Sequence, residues 1–329
     1  MPQTFLHGYA LLIGVGMCEY ANWSLPVTVH DAQALQNILT NVHLCAYPND
    51  SNHLRFLHNE TATRRGIMDG LAWLQAQTAV DTEATAVVYF SGHGWMAHKT
   101  GEYYLIPSDV HPFDIAGTAV SATVFTEALR RIEAKRLLVI IDSCHAEGMA
   151  TAKDASGVKL PADFSQTAVP QRMITSLKQG EGRAVFTSSR DTQKSWVRPD
   201  QSMSIYTFHL IEALQGASNK PGETVVRLSN LMNYLSQTVP SSAQAHFQTA
   251  QIPYFEMATE DYAVALLQGG KGLPDEGWEA VKDTPSNQPT INIQGDGNIV
   301  GNHNISQIVQ ATGGSTISGV TQIAEKPKI

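Results

Sequence analysis

Five strand-like runs, most of them continuously apolar, alternate along the chain with segments of helical periodicity. They are Tyr9–Val15 (YALLIGV), Leu54–His58, Ala84–Ser91 (ATAVVYFS), Leu137–Asp142 (LLVIID) and Arg183–Ser188 (RAVFTS). A run without polar–apolar alternation needs cover on both faces, as strands of a parallel sheet have. Between the runs, Val29–Thr40 sets Ala32, Leu35 and Leu39 at helical spacing, Thr63–Gln75 opens on a threonine suited to capping, and Ser121–Glu133 follows. Helical spacing returns at Ile205–Gln215 and Leu228–Thr238. Strand–helix alternation of this kind predicts an α/β fold with a mostly parallel central sheet flanked by helices.

Composition narrows the class. The 329 residues are 43% hydrophobic and 16% charged, which supports a buried core and argues against a disordered, collagen-like or coiled-coil chain. Lys and Arg number 22 against 30 Asp and Glu, a net charge of −8 that disfavours general binding to nucleic acid or anionic membrane. No apolar stretch approaches 18 residues, so no membrane span is expected. Tyr9–Val15 is short and lacks a basic flank, which suits a buried strand better than a signal peptide. Three cysteines, Cys18, Cys45 and Cys144, form neither a CxxC nor a disulfide framework. The odd count points to a reducing compartment and a cytoplasmic location.

Three segments follow from these patterns: a compact domain over 1–267, a Gly-, Pro- and Asp-containing linker over 268–288, and a tail over 289–329. Inside the domain the pattern lapses over 147–182, and loops of that length are usually functional or disordered. In the tail, Ile293, Ile299, Ile305, Ala311, Ile317 and Ile323 recur every six residues, and Gly295, Gly301, Gly313 and Gly319 follow four of them. The period is that of hexapeptide β-repeats, which need neighbours to bury their faces. An ordered tail of this kind would dock on a partner or on copies of itself; a flexible Gly/Asn/Ser-rich tail is the alternative.

Ligands and catalytic groups in open α/β sheets gather at the carboxyl ends of the strands. There, Ser91-Gly92-His93-Gly94 follows the third run and Asp142-Ser143-Cys144-His145 follows the fourth. A thiol with a pKa near 8.5 is mostly protonated at neutral pH, and an adjacent imidazole turns it into a nucleophile. Gly92 and Gly94, flanking His93, allow close approach of backbone, and their N–H groups, with that of Cys144, can face an oxyanion. Taken singly, a cysteine after an apolar strand is usually a buried inert thiol, and a strand-end histidine is usually structural. Their joint occurrence at two strand ends, 51 residues apart, favours a Cys–His dyad.

Together, Leu11-Leu-Ile-Gly-Val15, Ser91-Gly-His-Gly94, Asp142-Ser-Cys144 and Thr187-Ser-Ser-Arg-Asp191 resemble the caspase-like cysteine peptidases of family C14, of the metacaspase or orthocaspase type. The resemblance spans roughly residues 5–260 and excludes the tail. It implies a caspase–haemoglobinase fold, with His93 as general base, Cys144 as nucleophile, and Gly94 and Cys144 amides as the oxyanion hole. The His-to-Cys separation matches the spacing of about 50 residues in caspases. Asp31 and Asp142 match acidic S1 positions of metacaspases, whereas caspases have Gln two before the nucleophile and use arginines to hold an aspartate. Two carboxylates suit a guanidinium, then an ammonium, which implies cleavage after Arg and then Lys. On position alone, Asp31 can equally cap a helix. Asp191 matches a loop bordering the same pocket, as a third carboxylate or a rim charge.

Many metacaspases need calcium, bound by several aspartates that include a pair before the helix preceding the nucleophile strand. Here that region is Ala119-Val-Ser-Ala-Thr-Val124, without a carboxylate, so activity independent of calcium is expected, with no metal site and no cofactor. His30, His98 and His111 have no metal-ligand spacing, and His145 is an unlikely second base because neighbouring side chains diverge. Lys153, Lys159, Arg172 and Lys178 lie in the irregular stretch and are candidate self-cleavage sites, or ordinary solvated charges. The expected protein is a cysteine endopeptidase acting on proteins with basic P1 residues, similar to modular bacterial defence and stress effectors. The alternatives are a silent or latent caspase-like scaffold, and a binding module centred on the tail.

Overall fold

The computed structural model describes residues 3–143, 145–146, 160–190, 193–269, 292–294 and 298–300. A six-stranded sheet forms the centre. Its strands are β1 (Gly8–Gly14), β2 (Leu54–His58), β3 (Thr85–Gly92), β7 (Arg136–Ser143), β10 (Arg183–Thr187) and β13 (Tyr254–Ala258), in the order β13-β10-β7-β3-β1-β2. All neighbours pair in parallel except β13, which runs antiparallel to β10 along one edge.

Every residue of β1 and β3 is buried, as expected for strands with helices on both faces. Side-chain alternation divides the core in two. Leu138 and Ile140 of β7 pack with α1 (Val27–Thr40), α6 (Ile205–Leu214) and α7 (Leu228–Phe247). Leu137, Val139 and Ile141 pack on the other face with α2 (Arg64–Thr78), α4 (Ala122–Arg130) and α5 (Gln171–Leu177). Asp142 follows the parity of Ile140 and therefore belongs to the α1–α6 face.

Local chemistry sets several helix ends. Thr63 Oγ1 accepts from the Gly66 N–H, Ser121 Oγ from Val124, and Ser204 Oγ from Thr207, each capping a helix. Helix α1 begins at Val27 after Pro26, so Asp31 sits inside the helix and does not cap it. Gly14 lets this helix approach β1: a Cβ there would lie 2.5 Å from the Thr28 carbonyl oxygen. Helix α7 runs well past the expected end at Thr238, through Pro240. The proline removes the N–H that would bond the Ser236 carbonyl; the Thr238 and Ser241 hydroxyls bond the Tyr234 and Gln237 carbonyls of the preceding turn.

Smaller elements crowd the carboxyl end of the sheet. Strands β4 (Gly94–Ala97), β5 (Tyr103–Leu105), β6 (Val120–Ser121) and β9 (Phe164–Gln166) form a four-stranded antiparallel sheet in the order β6-β5-β4-β9, and α3 (Ile115–Thr118) precedes β6. Strand β8 (His145–Ala146) pairs with β11 (Ser195–Trp196). Within the irregular stretch 147–182, therefore, residues from 160 onward form β9 and α5. Strands β12 (Val225–Arg227) and β14 (Ala263–Leu266) pair next to Leu267, which is buried. In the tail, β15 (Asn292–Gln294) and β16 (Asn298–Val300) pair antiparallel with Ile293 opposite Ile299; the other tail residues and the linker from 270 lie outside the described residues.

Candidate active site

The β3–β7 ladder ends with Ser91 opposite Asp142 and Gly92 opposite Ser143. In sequence, His93 follows β3 and Cys144 follows β7. Strand pairing thus carries the chain to the last position before each candidate catalytic residue, about 4.8 Å apart across the ladder. Cys144 itself lies outside the described residues, as does Asp191.

His93 is 2% exposed. Its Nε2 lies 3.1 Å from the Trp23 carbonyl oxygen. A carbonyl only accepts, so Nε2 carries the proton and donates, and Nδ1 is left with its lone pair. The Gln166 side-chain amide lies 3.3 Å from Nδ1. Gln166 reaches this place because β9 pairs with β4, Trp95 opposite Gln166. Trp23 and Trp95 meet edge to face at 4.6 Å between centroids, and Trp95 lies 5.9 Å from the imidazole. Trp95 thereby packs beside the imidazole, and Trp23 braces Trp95 edge to face.

Gly94 opens β4 directly beside His93. A Cβ on it would stand 1.8 Å from the Tyr103 hydroxyl oxygen and 3.1 Å from Ser143 Oγ. Tyr103 OH and Ser143 Oγ are hydrogen-bonded at 2.8 Å. Only glycine fits between these side chains, which places the Gly94 backbone against the end of β7.

The two sequence-identified carboxylates lie on the α1–α6 face, and both are 0% exposed. Asp31 accepts from Ser204 N–H at 2.9 Å and Ser91 Oγ at 3.1 Å. Asp142 accepts from Ser195 Oγ at 2.8 Å, Ser204 Oγ at 2.5 Å and Thr207 Oγ1 at 3.1 Å. Ser204, the cap of α6, therefore bridges the pair through its backbone and its hydroxyl. Burial, then the charge of Asp142, pushes the Asp31 carboxyl well above the usual range, and the Ser204 and Ser91 hydrogen bonds only partly oppose this.

Buttressing residues escaped the sequence reading. Gln251, fully buried, donates to the Ser188 carbonyl at 3.0 Å and to Ser195 Oγ at 3.2 Å, and accepts from the Trp196 N–H at 2.9 Å. It ties the Thr187-Ser-Ser loop to β11. Ser204, Gln166 and the Trp23 carbonyl belong to the same group, because neither spacing nor motif announces them.

Elsewhere the candidates separate. Arg172 is exposed in the first turn of α5, and Lys178 ends that helix, 2.6 Å from Glu256. Lys153 and Lys159 lie outside the described residues, and of His145 only the backbone is described. Cys18 and Cys45 are buried thiols; burial pushes Cys18 up to about 12 and Cys45 higher still, which keeps both unreactive at neutral pH. His30 is held below its usual pKa by burial. In the segment where calcium aspartates would stand, Ser121 caps α4 and Glu102 accepts from both the N–H and the hydroxyl of Thr123. Among the described residues no group of three or more His, Cys, Asp or Glu side chains is placed to hold a metal ion.

The mostly parallel sheet thus sets a carbonyl-oriented imidazole just past the end of β3, next to the strand whose last residue is Ser143. The chain belongs to the caspase family: the caspase-domain family matches residues 7–263. No curated protein matches it in sequence. Among solved structures, protein GSU0716 from Geobacter sulfurreducens is 16% identical, with 82% of this chain and 99% of that chain covered at a TM-score of 0.50. Caspase-1 from Spodoptera frugiperda is also 16% identical, with 82% and 92% covered at a TM-score of 0.49. The chain is thus a caspase-like member of the cysteine peptidases with a mostly parallel α/β fold. Among the described residues no helix is long and apolar enough to cross a membrane.

Proposed function

We propose that this chain is a cysteine endopeptidase that cleaves proteins after arginine, and less readily after lysine, through Cys144 and His93. The observation that carries the reading is His93 just past the β3 end, with Nε2–H committed to the Trp23 carbonyl and Nδ1, the nitrogen left to accept a proton, beside the Gln166 amide. In this mechanism Nδ1 takes the Cys144 proton and the thiolate attacks the carbonyl carbon of the scissile bond. The N–H groups of Gly94 and Cys144 receive the oxyanion. The imidazolium then protonates the leaving amine, the C–N bond breaks, and water hydrolyses the thioester with His93 again as base.

The Asp31–Asp142 pair supports basic specificity. Two carboxylates buried together are costly unless a cation joins them, and a guanidinium offers five donors in a planar fork. Lysine brings a single ammonium and pairs less well. The calcium-ligating segment lacks carboxylates, so turnover is expected to survive chelation.

Two contacts favour a second reading, that of a latent enzyme. The carboxylates are sealed from solvent, and the Gln166 amide occupies the direction from which Nδ1 must accept a proton. An activator or self-cleavage within 147–159 would then open the site, with the tail as the means of recruitment. Wild type and Cys144→Ala should be compared on a fluorogenic P1-Arg peptide, with and without chelator. Turnover by wild type alone, unchanged by chelator, is expected; preference for P1 Asp would overturn the specificity, and equal turnover by both proteins would overturn the nucleophile. With no turnover, labelling of Cys144 by a thiol-reactive P1-Arg probe identifies latency.

A further inference from the structure

Beside the dyad, on the sheet face opposite the carboxylate pair, lies a groove of about 450 Å³ whose floor includes Met96, Ala168, Val169 and Ile174. Its lining adjoins the residues around His93. Met96 is three residues after His93 and pairs with Ser165, and the groove wall at Thr167 adjoins Gln166, whose amide touches His93. Arg190, just past β10, stands at its rim as the one charged residue of the lining, and is exposed. Among the described residues no carboxylate pairs with it: nearby Glu256 is held by Lys178 at 2.6 Å and Tyr254 at 2.8 Å.

We infer that this groove receives the leaving-group side of the peptide, and that Arg190 selects substrates carrying an acidic side chain just after the scissile bond. The inference rests on the peptidase reading of His93 and Cys144. Its geometry follows from parity. A P1 side chain directed to Asp31 and Asp142 lies on the α1–α6 face, and His93 stands at the carboxyl end of the sheet, just past the central strand β3. Chain continuing across His93 therefore arrives over the α5 face, where the groove lies. Apolar residues there accept a short side chain, and the guanidinium at the rim favours a carboxylate and repels an ammonium. Cleavage would then require a basic residue followed closely by an acidic one, a narrower choice than basic P1 alone.

The test uses full-length protein and peptides with P1 Arg that differ only in Asp, Ala or Lys at one of the three positions after the bond. In wild type, kcat/KM is expected to favour Asp over Lys by roughly three- to tenfold at one position, the scale of a partly exposed ion pair. Arg190→Ala should reduce that ratio to about one, and Arg190→Glu should invert it. Comparing ratios within each protein removes any general change in activity. An Asp-to-Lys ratio that is the same in wild type and Arg190→Glu overturns the proposal. A coumarin amide of arginine, which has no residues beyond the bond, tests the peptidase reading separately. Should that substrate and all peptides remain uncleaved, anisotropy of the same labelled peptides on Cys144→Ala, with and without Arg190→Glu, measures the groove alone. Equal affinity for the Asp and Lys peptides would then overturn it.

Discussion

Asp31 and Asp142 share Ser204 as a bridge, and Asp31 bears the cost. Its raised pKa comes first from burial and second from the charge of Asp142. Between the ordinary carboxyl value and the raised one, the folded chain holds a proton that the unfolded chain has released. Stability therefore falls as pH rises through that window, and the penalty is present in full above it. Asp31→Asn keeps an acceptor for the Ser204 N–H and offers a donor to Ser91 Oγ, so the hydroxyl network survives. The variant should be more stable than wild type at pH 8 by roughly 1–3 kcal/mol, with the difference shrinking toward pH 4. On the proposed basic specificity, its kcat/KM on P1-Arg peptides should fall at least about 100-fold, because one of the two carboxylates proposed to meet the guanidinium is gone. Thermal melts across pH and peptide kinetics check both. A variant less stable at pH 8 than at pH 4, relative to wild type, would mean that hydrogen bonding to the charged form dominates over repulsion.

At the scale of elements, the β3-His93-β4 corner depends on one residue without a side chain. Tyr103 is 0% exposed, so it cannot step aside for a Cβ on Gly94. Gly94→Ala should break the Tyr103–Ser143 hydrogen bond and cost about 1–3 kcal/mol, the range of overpacking in a filled core. It should also displace the N–H proposed to receive the oxyanion, lowering kcat by roughly 100-fold at temperatures where the variant remains folded. Melting curves beside kinetics separate the two effects. The elements that carry this corner differ in how visible they are in the sequence. Central strands such as β3 and β7 announce themselves because they are continuously apolar, and His93 and Cys144 follow them directly. Strands β4, β5, β6 and β9 are only two to four residues long, too short for periodicity to register. The Trp23 group that orients His93 is a backbone carbonyl, which any residue could supply, and Ser204 and Gln166 reach the site only through long-range packing. Helix α7 runs past its expected end with Val239 and Ala243, on either side of Pro240, buried in the core, a packing gain that a proline in the sequence conceals.

For the molecule as a whole, the question is where it would cut itself. A peptidase reads substrate as extended backbone, so a bond within a helix must first be unwound. Arg172 is in α5, and Lys178 closes it with an ion pair to Glu256; both bonds are held in folded structure whose burial of Met173, Ile174 and Leu177 anchors it to the sheet. Lys153 and Lys159 remain. Lys159 is followed by Leu160 and Pro161, and Lys153 by Asp154. If Arg190 favours an acidic residue after the bond, Lys153 is the preferred site, and its sequence is a better match than that of Lys159. Intact and peptide mass spectrometry of active enzyme should show a break after Lys153, absent in Cys144→Ala and in Lys153→Ala. Arg190→Glu should slow that break relative to turnover of the coumarin substrate. Cleavage after Arg172 or Lys178 instead would show that α5 unfolds before it is cut, and would make β9, and with it the Gln166 contact to His93, the part of the fold that activation releases.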